Sequence, residues 1–112
     1  MKDDAVFLLH IRDSCGRILE YTVGGREAFL ADPKTRDAVV PNIEIIGEAA
    51  KNLSAEFRDK HPDIPWKRMA GMRDRVIHAY FGVDADLVWE VVEKHVPELK
   101  SRIESLLELP PA

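Results

Sequence analysis

Apolar side chains recur at steps of three and four residues along most of the chain, which is the spacing of amphipathic α-helices. From about Asp4 to Tyr21 this repeat joins Val6, Leu9, Ile18 and Tyr21. The pattern therefore predicts a first helix with these side chains on its apolar face. Two consecutive glycines end that helix, and a short linker with one helical turn follows.

The second predicted helix has clear signals at its start. Asp32 can cap the helix with its side chain, and Pro33 suits the first turn. The helix should run to about Asn52, with a kink where Pro41 removes one backbone hydrogen bond. The predicted buried seam consists of Val39, Ile43, Ile46, Ala50 and Leu53.

The rest of the chain also reads as helices. Ser54 caps a short third helix, a fourth runs from about Trp66 to Tyr80, and Asp84 caps a fifth. Pro97 either bends the fifth helix or begins a new one. The residues expected to face inward on the fifth helix are Leu87, Val88, Val91 and Val92.

No strand-like alternation of apolar and polar residues interrupts this pattern. The predicted class is an all-α bundle of about five helices, mostly antiparallel through short connections. A length of 112 residues suits one domain, which we place at residues 1–108, with a tail at 109–112.

Composition narrows the class of protein. Hydrophobic residues make up 46% and charged residues 32%, as in soluble globular proteins. No apolar run is long enough to span a membrane and the acidic N-terminus does not resemble a signal peptide, so a cytoplasmic protein without membrane contact is expected. The net charge is −4, so any contact with nucleic acid must depend on a local basic patch.

Several kinds of site lack their signature in the sequence. It contains no Gly-rich phosphate loop, no cysteine pair and no His-x-x-x-His spacing. We therefore expect neither a metal ion nor a cofactor.

The fourth predicted helix concentrates polar chemistry. Arg73 and Tyr80 are seven residues apart, so they lie within roughly 20° of each other on a helix. Asp74 and His78 are four apart, a spacing that lets a carboxylate orient an imidazole or merely stabilise the helix.

Arg73 falls inside the apolar arc of that helix, where an unpaired guanidinium is costly. Two interpretations stay open. Either Glu44 or Glu48 of the second helix neutralises Arg73 in a structural salt bridge, or the arc opens to a groove that binds an anionic ligand.

Two segments resemble a known family. Arg73 and His78 match the Arg-x4-His motif of the HEPN superfamily, and the wider run from Ile64 to Asp84 is similar to its HepT branch. The run from Asn42 to Ala49 resembles the second signature of that branch. The residue after the arginine is Asp74, where other members have asparagine.

The resemblance implies an antiparallel helical domain that forms a homodimer, with Arg73 and His78 of both subunits lining one groove. It implies a metal-independent ribonuclease that acts on tRNA or mRNA as the toxin of a toxin-antitoxin pair. The implied antitoxin is a nucleotidyltransferase of the MNT type that can transfer AMP to Tyr80. Arg73 would hold the phosphate and His78 would move the proton.

Two other hypotheses stay open. In the first, the protein is a non-catalytic helical module that binds a nucleotidyltransferase, which the net charge of −4 and Asp74 favour. In the second, Arg73 lies in a core salt bridge and the protein is only a helical dimer.

Overall fold

The computed structural model describes residues 4–81 and 84–108, except for the side chains of residues 77–81. Within these ranges there are helices and no strands. The helices are α1 (Asp4–Tyr21), α2 (Gly25–Ala31), α3 (Pro33–Asn52), α4 (Ala55–Lys60), α5 (Trp66–Phe81), α6 (Ala85–Lys94) and α7 (Val96–Glu108). The all-α class is confirmed, and the described residues form more helices than predicted because the expected linker after α1 is the helix α2 and because α7 is separate from α6.

Local capping explains where several helices begin. The Asp32 side chain accepts a hydrogen bond from the backbone N–H of Lys34, and Ser54 and Asp84 cap α4 and α6 in the same manner. The bond from Lys34, followed by that from the Thr35 hydroxyl, lowers the pKa of Asp32. The predicted starts of these three helices are confirmed. They could be predicted because a capping side chain binds backbone groups that are close to it in sequence.

Helix α3 is the centre of the bundle. It packs against α1 on one side and α5 on another, while α7 packs on α1 and α6 connects α5 with α7. The predicted seam of α3 is buried along its whole length, from Val39 to Leu53. Pro41 lies inside α3 as predicted, and the kink stays a prediction.

Two predicted apolar faces are partly wrong. On α1 the core contacts are made by Leu8, Ile11, Cys15 and Ile18, whereas Val6, Leu9 and Tyr21 are exposed. The mixed spacing of apolar residues in α1 allows two stripes, and the stripe that faces α3 and α7 is the buried one.

The correction in α6 concerns one tryptophan. Leu87 is only half-buried, while Trp89 is buried and its ring centroid lies 5.3 Å from that of Phe29 in α2. Val88, Val91 and Val92 are buried as predicted. The helix therefore turns its tryptophan toward α2.

Pro97 begins a new helix rather than bending the old one. It is the second residue of α7, where a missing backbone N–H costs nothing. None of the helices in the described ranges has the length and apolarity that a membrane crossing requires. The predicted tail at 109–112 lies outside the described residues.

Candidate functional site

Arg73 lies on the side of α5 that packs against α3. The neighbouring positions Met69, Met72 and Val76 are buried, which confirms this part of the predicted apolar arc. The other two members of the arc, Ile77 and Tyr80, have side chains outside the described residues. The Arg73 side chain itself is 33% exposed. The guanidinium is therefore at the edge of the α3–α5 contact and not in the middle of the core.

Gly47 sets how closely α3 and α5 approach at this point. A Cβ atom added to Gly47 would lie 2.7 Å from the Cβ of Arg73 and 3.4 Å from the backbone oxygen of Met69. No side chain fits there, so α3 presents bare backbone to the base of the Arg73 side chain. Sequence reasoning gave Gly47 no role of its own, although a glycine inside a predicted helix is a signal of close approach.

Arg73 is paired with its neighbour in sequence. Its Nη1 donates to Oδ1 of Asp74 at 3.3 Å, and the Asp74 side chain is 76% exposed. The Nε–H is buried and has no acceptor among the described residues. The guanidinium is thus enclosed at Nε and reaches the surface at Nη1.

The predicted partners in α3 do not form this pair. Among the described side chains, neither Glu44 nor Glu48 lies within ion-pair distance of Arg73. Glu44 is half-buried and Glu48 is exposed. The close approach at Gly47 brings the α3 backbone, and not an acidic side chain, against Arg73.

His78 and Tyr80 have described backbones within α5, but their side chains lie outside the described residues. The predicted contact between His78 and Asp74, and the predicted position of Tyr80 on the same side of the helix as Arg73, therefore stay predictions. Positions 73 and 78 are about 140° apart around a helix. Within one subunit, positions 73 and 78 are therefore on different sides of α5.

A second polar region lies on another side of α5. A cavity of about 250 Å³ opens between α5, α6 and α7, and its lining includes Arg68, Arg75, His95 and Arg102. Its apolar floor includes Met69, Met72, Val91 and Leu99. We call this cavity the α5–α7 groove. The lining residues on α5 recur at steps of four and three, so the sequence alone could indicate that they share one side of that helix. The lining residues of α6 and α7 join them only when the chain folds.

The described side chains contain no group of three or more His, Cys, Asp or Glu residues that could hold a metal ion. What they do contain is a partly exposed guanidinium at the surface and a separate basic groove. Guanidinium groups suit phosphate recognition because their planar fork can donate two hydrogen bonds.

The family of the chain follows from its sequence comparisons. The model of the Ribonuclease HepT-like family matches residues 11–106, which include both α3 and α5. The chain belongs to this family. The resemblance to the HepT branch of the HEPN superfamily is thereby confirmed.

Relatives of this HepT-like chain carry related names. A protein of Caldanaerobacter subterraneus subsp. tengcongensis, named as a candidate RNase, is 45% identical over 96% of this chain and 97% of its own length. A "probable ribonuclease HepT" of Thermococcus cleftensis is 52% identical over 71% of this chain and 73% of its own.

A third relative has a longer chain. A protein of Methanocaldococcus jannaschii, named as a gamma-glutamylcyclotransferase and candidate RNase, is 50% identical over 96% of this chain and 49% of its own length. The HepT-like chain thus spans about half of that relative. No solved structure matches the HepT-like chain.

Proposed function

We propose that the protein is a metal-independent ribonuclease of the cytoplasm and the toxin of a toxin-antitoxin pair. The observation that carries the proposal is the position of Arg73, which stands at the surface of the α3–α5 contact without an acidic partner from α3 among the described residues. Membership in the Ribonuclease HepT-like family supports the reaction class.

In the proposed mechanism, Arg73 holds the scissile phosphate of a tRNA or mRNA and stabilises the charge that grows on its oxygens. His78 accepts the proton of the ribose 2′-hydroxyl, whose oxygen attacks phosphorus. The bond from phosphorus to the 5′-oxygen breaks, and that oxygen receives a proton from the partner subunit's His78. Imidazole suits both roles because it exchanges protons near neutral pH. The products are a 2′,3′-cyclic phosphate and a free 5′-hydroxyl.

The mechanism requires a homodimer. Because positions 73 and 78 are about 140° apart on α5, one subunit cannot easily direct both side chains at the same phosphate. Exposed apolar side chains on α1 and α3, namely Val6, Leu9 and Ile45, offer surface that a second copy could bury. Light scattering of the purified protein tests this part of the proposal, which a monomer would contradict.

Inhibition is proposed to act on the same site. A nucleotidyltransferase of the MNT type would transfer AMP from ATP to the phenol oxygen of Tyr80, with release of pyrophosphate and of the phenol proton. Tyr80 follows Arg73 by two helical turns, so the added phosphate would bring negative charge next to the RNA site. Mass spectrometry of the protein expressed with its nucleotidyltransferase should show AMP on Tyr80, and an unmodified Tyr80 would contradict this step.

The central experiment is RNA cleavage by Arg73→Ala and His78→Ala variants. Each should lose about 100-fold or more of the cleavage rate, the usual effect of removing a group that stabilises the transition state, and the wild type should stay active in EDTA. Arg12→Ala is the matched control because Arg12 is also partly exposed and also pairs with the aspartate that follows it. His61→Ala, at the C-terminal end of α4 and away from the proposed dimer surface, controls for the loss of an imidazole. Undiminished cleavage by the Arg73 or His78 variant would overturn the proposal.

A second candidate is a non-catalytic module that binds a nucleotidyltransferase. The net charge of −4 and the exposed carboxylate of Asp74 favour it, because both oppose the approach of RNA. Wild-type protein that binds the nucleotidyltransferase but leaves tRNA and mRNA intact would support this candidate and exclude the ribonuclease.

A further inference from the structure

We propose that the α5–α7 groove binds an unpaired segment of RNA, with phosphates on its arginines and a base on its methionine floor. The proposal deepens the ribonuclease function, on which it rests, by assigning a substrate-binding surface apart from Arg73 and His78. It commits to single-stranded RNA as the occupant because both the charge and the shape of the groove suit that ligand.

Charge is the first argument. The groove lining carries three arginines, Arg68, Arg75 and Arg102, and one acid, Glu98. The chain as a whole has a net charge of −4. A positive patch in an acidic protein is the local feature that RNA binding requires, and it directs RNA to this surface rather than to others.

The three arginines differ in how they are held. Arg102 is fixed, since it donates to the backbone oxygen of Asp63 and lies 3.4 Å from Glu98. Arg68 and Arg75 are exposed and have no acidic partner among the described side chains. Two guanidiniums are thus free to bind anions, and their positions, seven residues apart on α5, are about 10 Å apart along the helix. That separation lets them contact different phosphates of one strand.

Shape is the second argument. Met69 and Met72 are buried in the floor of the groove, and His95 lies at its rim, at the junction of α6 and α7. A volume of about 250 Å³ lies just below the usual range of pockets for drug-sized ligands, so the groove suits a small planar group such as one base. Protein sites that read unpaired RNA combine such a surface for a base with cations for the backbone.

The groove also has a suitable direction. Arg68 lies near the start of α5, and Arg75 lies one helical turn before position 78. A strand held by both arginines would continue along α5 toward position 78. The groove would therefore raise the affinity for long unpaired RNA without taking part in the cleavage step.

The test is binding of a short 2′-O-methyl oligonucleotide, which cannot be cleaved through its 2′-oxygen, measured by fluorescence anisotropy. The Arg68→Ala/Arg75→Ala double variant should bind about 100-fold more weakly, at roughly tenfold for each charge-assisted hydrogen bond lost. The slope of log affinity against log salt should fall by about 1.4, since each phosphate contact on a single strand contributes about 0.7.

The matched control is Arg12→Ala/Arg26→Ala, which removes the same charge from two arginines that are paired with Asp13 and Asp86. Its affinity should stay near that of the wild type. An equal loss of affinity in both double variants would mean that only the total charge of the protein matters, and this result would overturn the proposal. So would absence of binding by the wild type, or equal binding of a fully paired duplex.

Light scattering of the Arg68→Ala/Arg75→Ala protein supplies a further check. A change in oligomeric state would place the groove between copies of the chain and would overturn the proposal. Because the oligonucleotide cannot be cleaved, the result is independent of the catalytic proposal. Loss of cleavage in His78→Ala with unchanged binding in Arg68→Ala/Arg75→Ala would leave the ribonuclease standing and the groove refuted.

Discussion

Arg73 and Arg75 are two residues apart on the same helix, yet they differ in how they pack and in whether they have an acidic partner. Arg73 has its base pressed against the backbone of Gly47, its Nε buried and its Nη1 bonded to Asp74. Arg75 lies about 160° round the helix, exposed and without an acidic partner among the described side chains.

This difference separates two tasks that a nuclease must perform. Stabilising a transition state needs a cation whose position is already fixed, because reorganisation at the moment of reaction is costly. Holding a flexible strand of varied sequence needs cations that can follow the phosphates. Helix α5 offers the first kind on its α3 side and the second on its α7 side.

The largest expected effect comes from Gly47→Ala, which would force α3 and α5 apart beneath Arg73. The added Cβ would stand 2.7 Å from the Cβ of Arg73, so the helices must shift. Overpacking of this kind costs about 1–3 kcal/mol of unfolding free energy. Displacement of a catalytic group by about 1 Å can cost about 100-fold in rate. Urea unfolding and RNA cleavage measure the two effects.

Gly71→Ala is the control for that variant because Gly71 lies in α5, the helix that carries Arg73, and has nothing within 4 Å of an added Cβ. Alanine should raise the unfolding free energy by about 0.5–1 kcal/mol, since glycine disfavours a helix interior. If Gly47→Ala cleaved RNA as fast as Gly71→Ala, the fixed position of Arg73 would not matter for activity.

The next effect distinguishes the two arginines by replacing each with lysine. Arg73→Lys should reduce the cleavage rate by roughly tenfold or more, because it loses the planar fork and a charge-assisted hydrogen bond worth about 1.5–3 kcal/mol. Arg75→Lys keeps the charge that the groove supplies, so its Michaelis constant for RNA should change by about threefold at most. Equal losses in the two variants would remove the distinction between a fixed and an adaptable arginine.

A smaller effect than that of Arg73→Lys is expected from Asp74→Asn. The amide oxygen can still accept the hydrogen bond from Arg73, while the negative charge beside the proposed phosphate site is gone. RNA affinity should rise by about three- to fivefold, the effect of removing roughly 1 kcal/mol of repulsion in a solvated site. Asp13→Asn makes the same charge change beside Arg12 and should leave the affinity unaltered. Weaker binding by Asp74→Asn would show that the carboxylate positions Arg73.

Features decided by near neighbours were readable from the sequence. The start of α3 at Asp32 and Pro33, and the caps at Ser54 and Asp84, depend on side chains within three residues of the backbone groups that they bind. The Arg-x4-His resemblance likewise depends on one continuous stretch. These predictions needed no knowledge of how the helices pack.

Features decided by packing were not readable in the same way. Whether Val6 or Leu8 faces the core depends on where α3 and α7 lie against α1. The partner of Arg73 depends on the distance between α3 and α5, which Gly47 shortens. Of the two interpretations that the sequence left open, the salt bridge to Glu44 or Glu48 is not formed among the described side chains. The α5–α7 groove contains residues of three helices, and only its α5 residues show a regular spacing in the sequence.

The buried thiol in α1 gives the molecule a practical property. Cys15 is the only cysteine of the chain, is fully buried, and has its pKa raised to about 12 by burial. It therefore stays protonated and inaccessible to alkylating reagents at neutral pH. A cysteine introduced at exposed Glu48 would then be the single reactive thiol, so a spin label attached there could test for the proposed homodimer by a distance between two labels, without any other change to the protein.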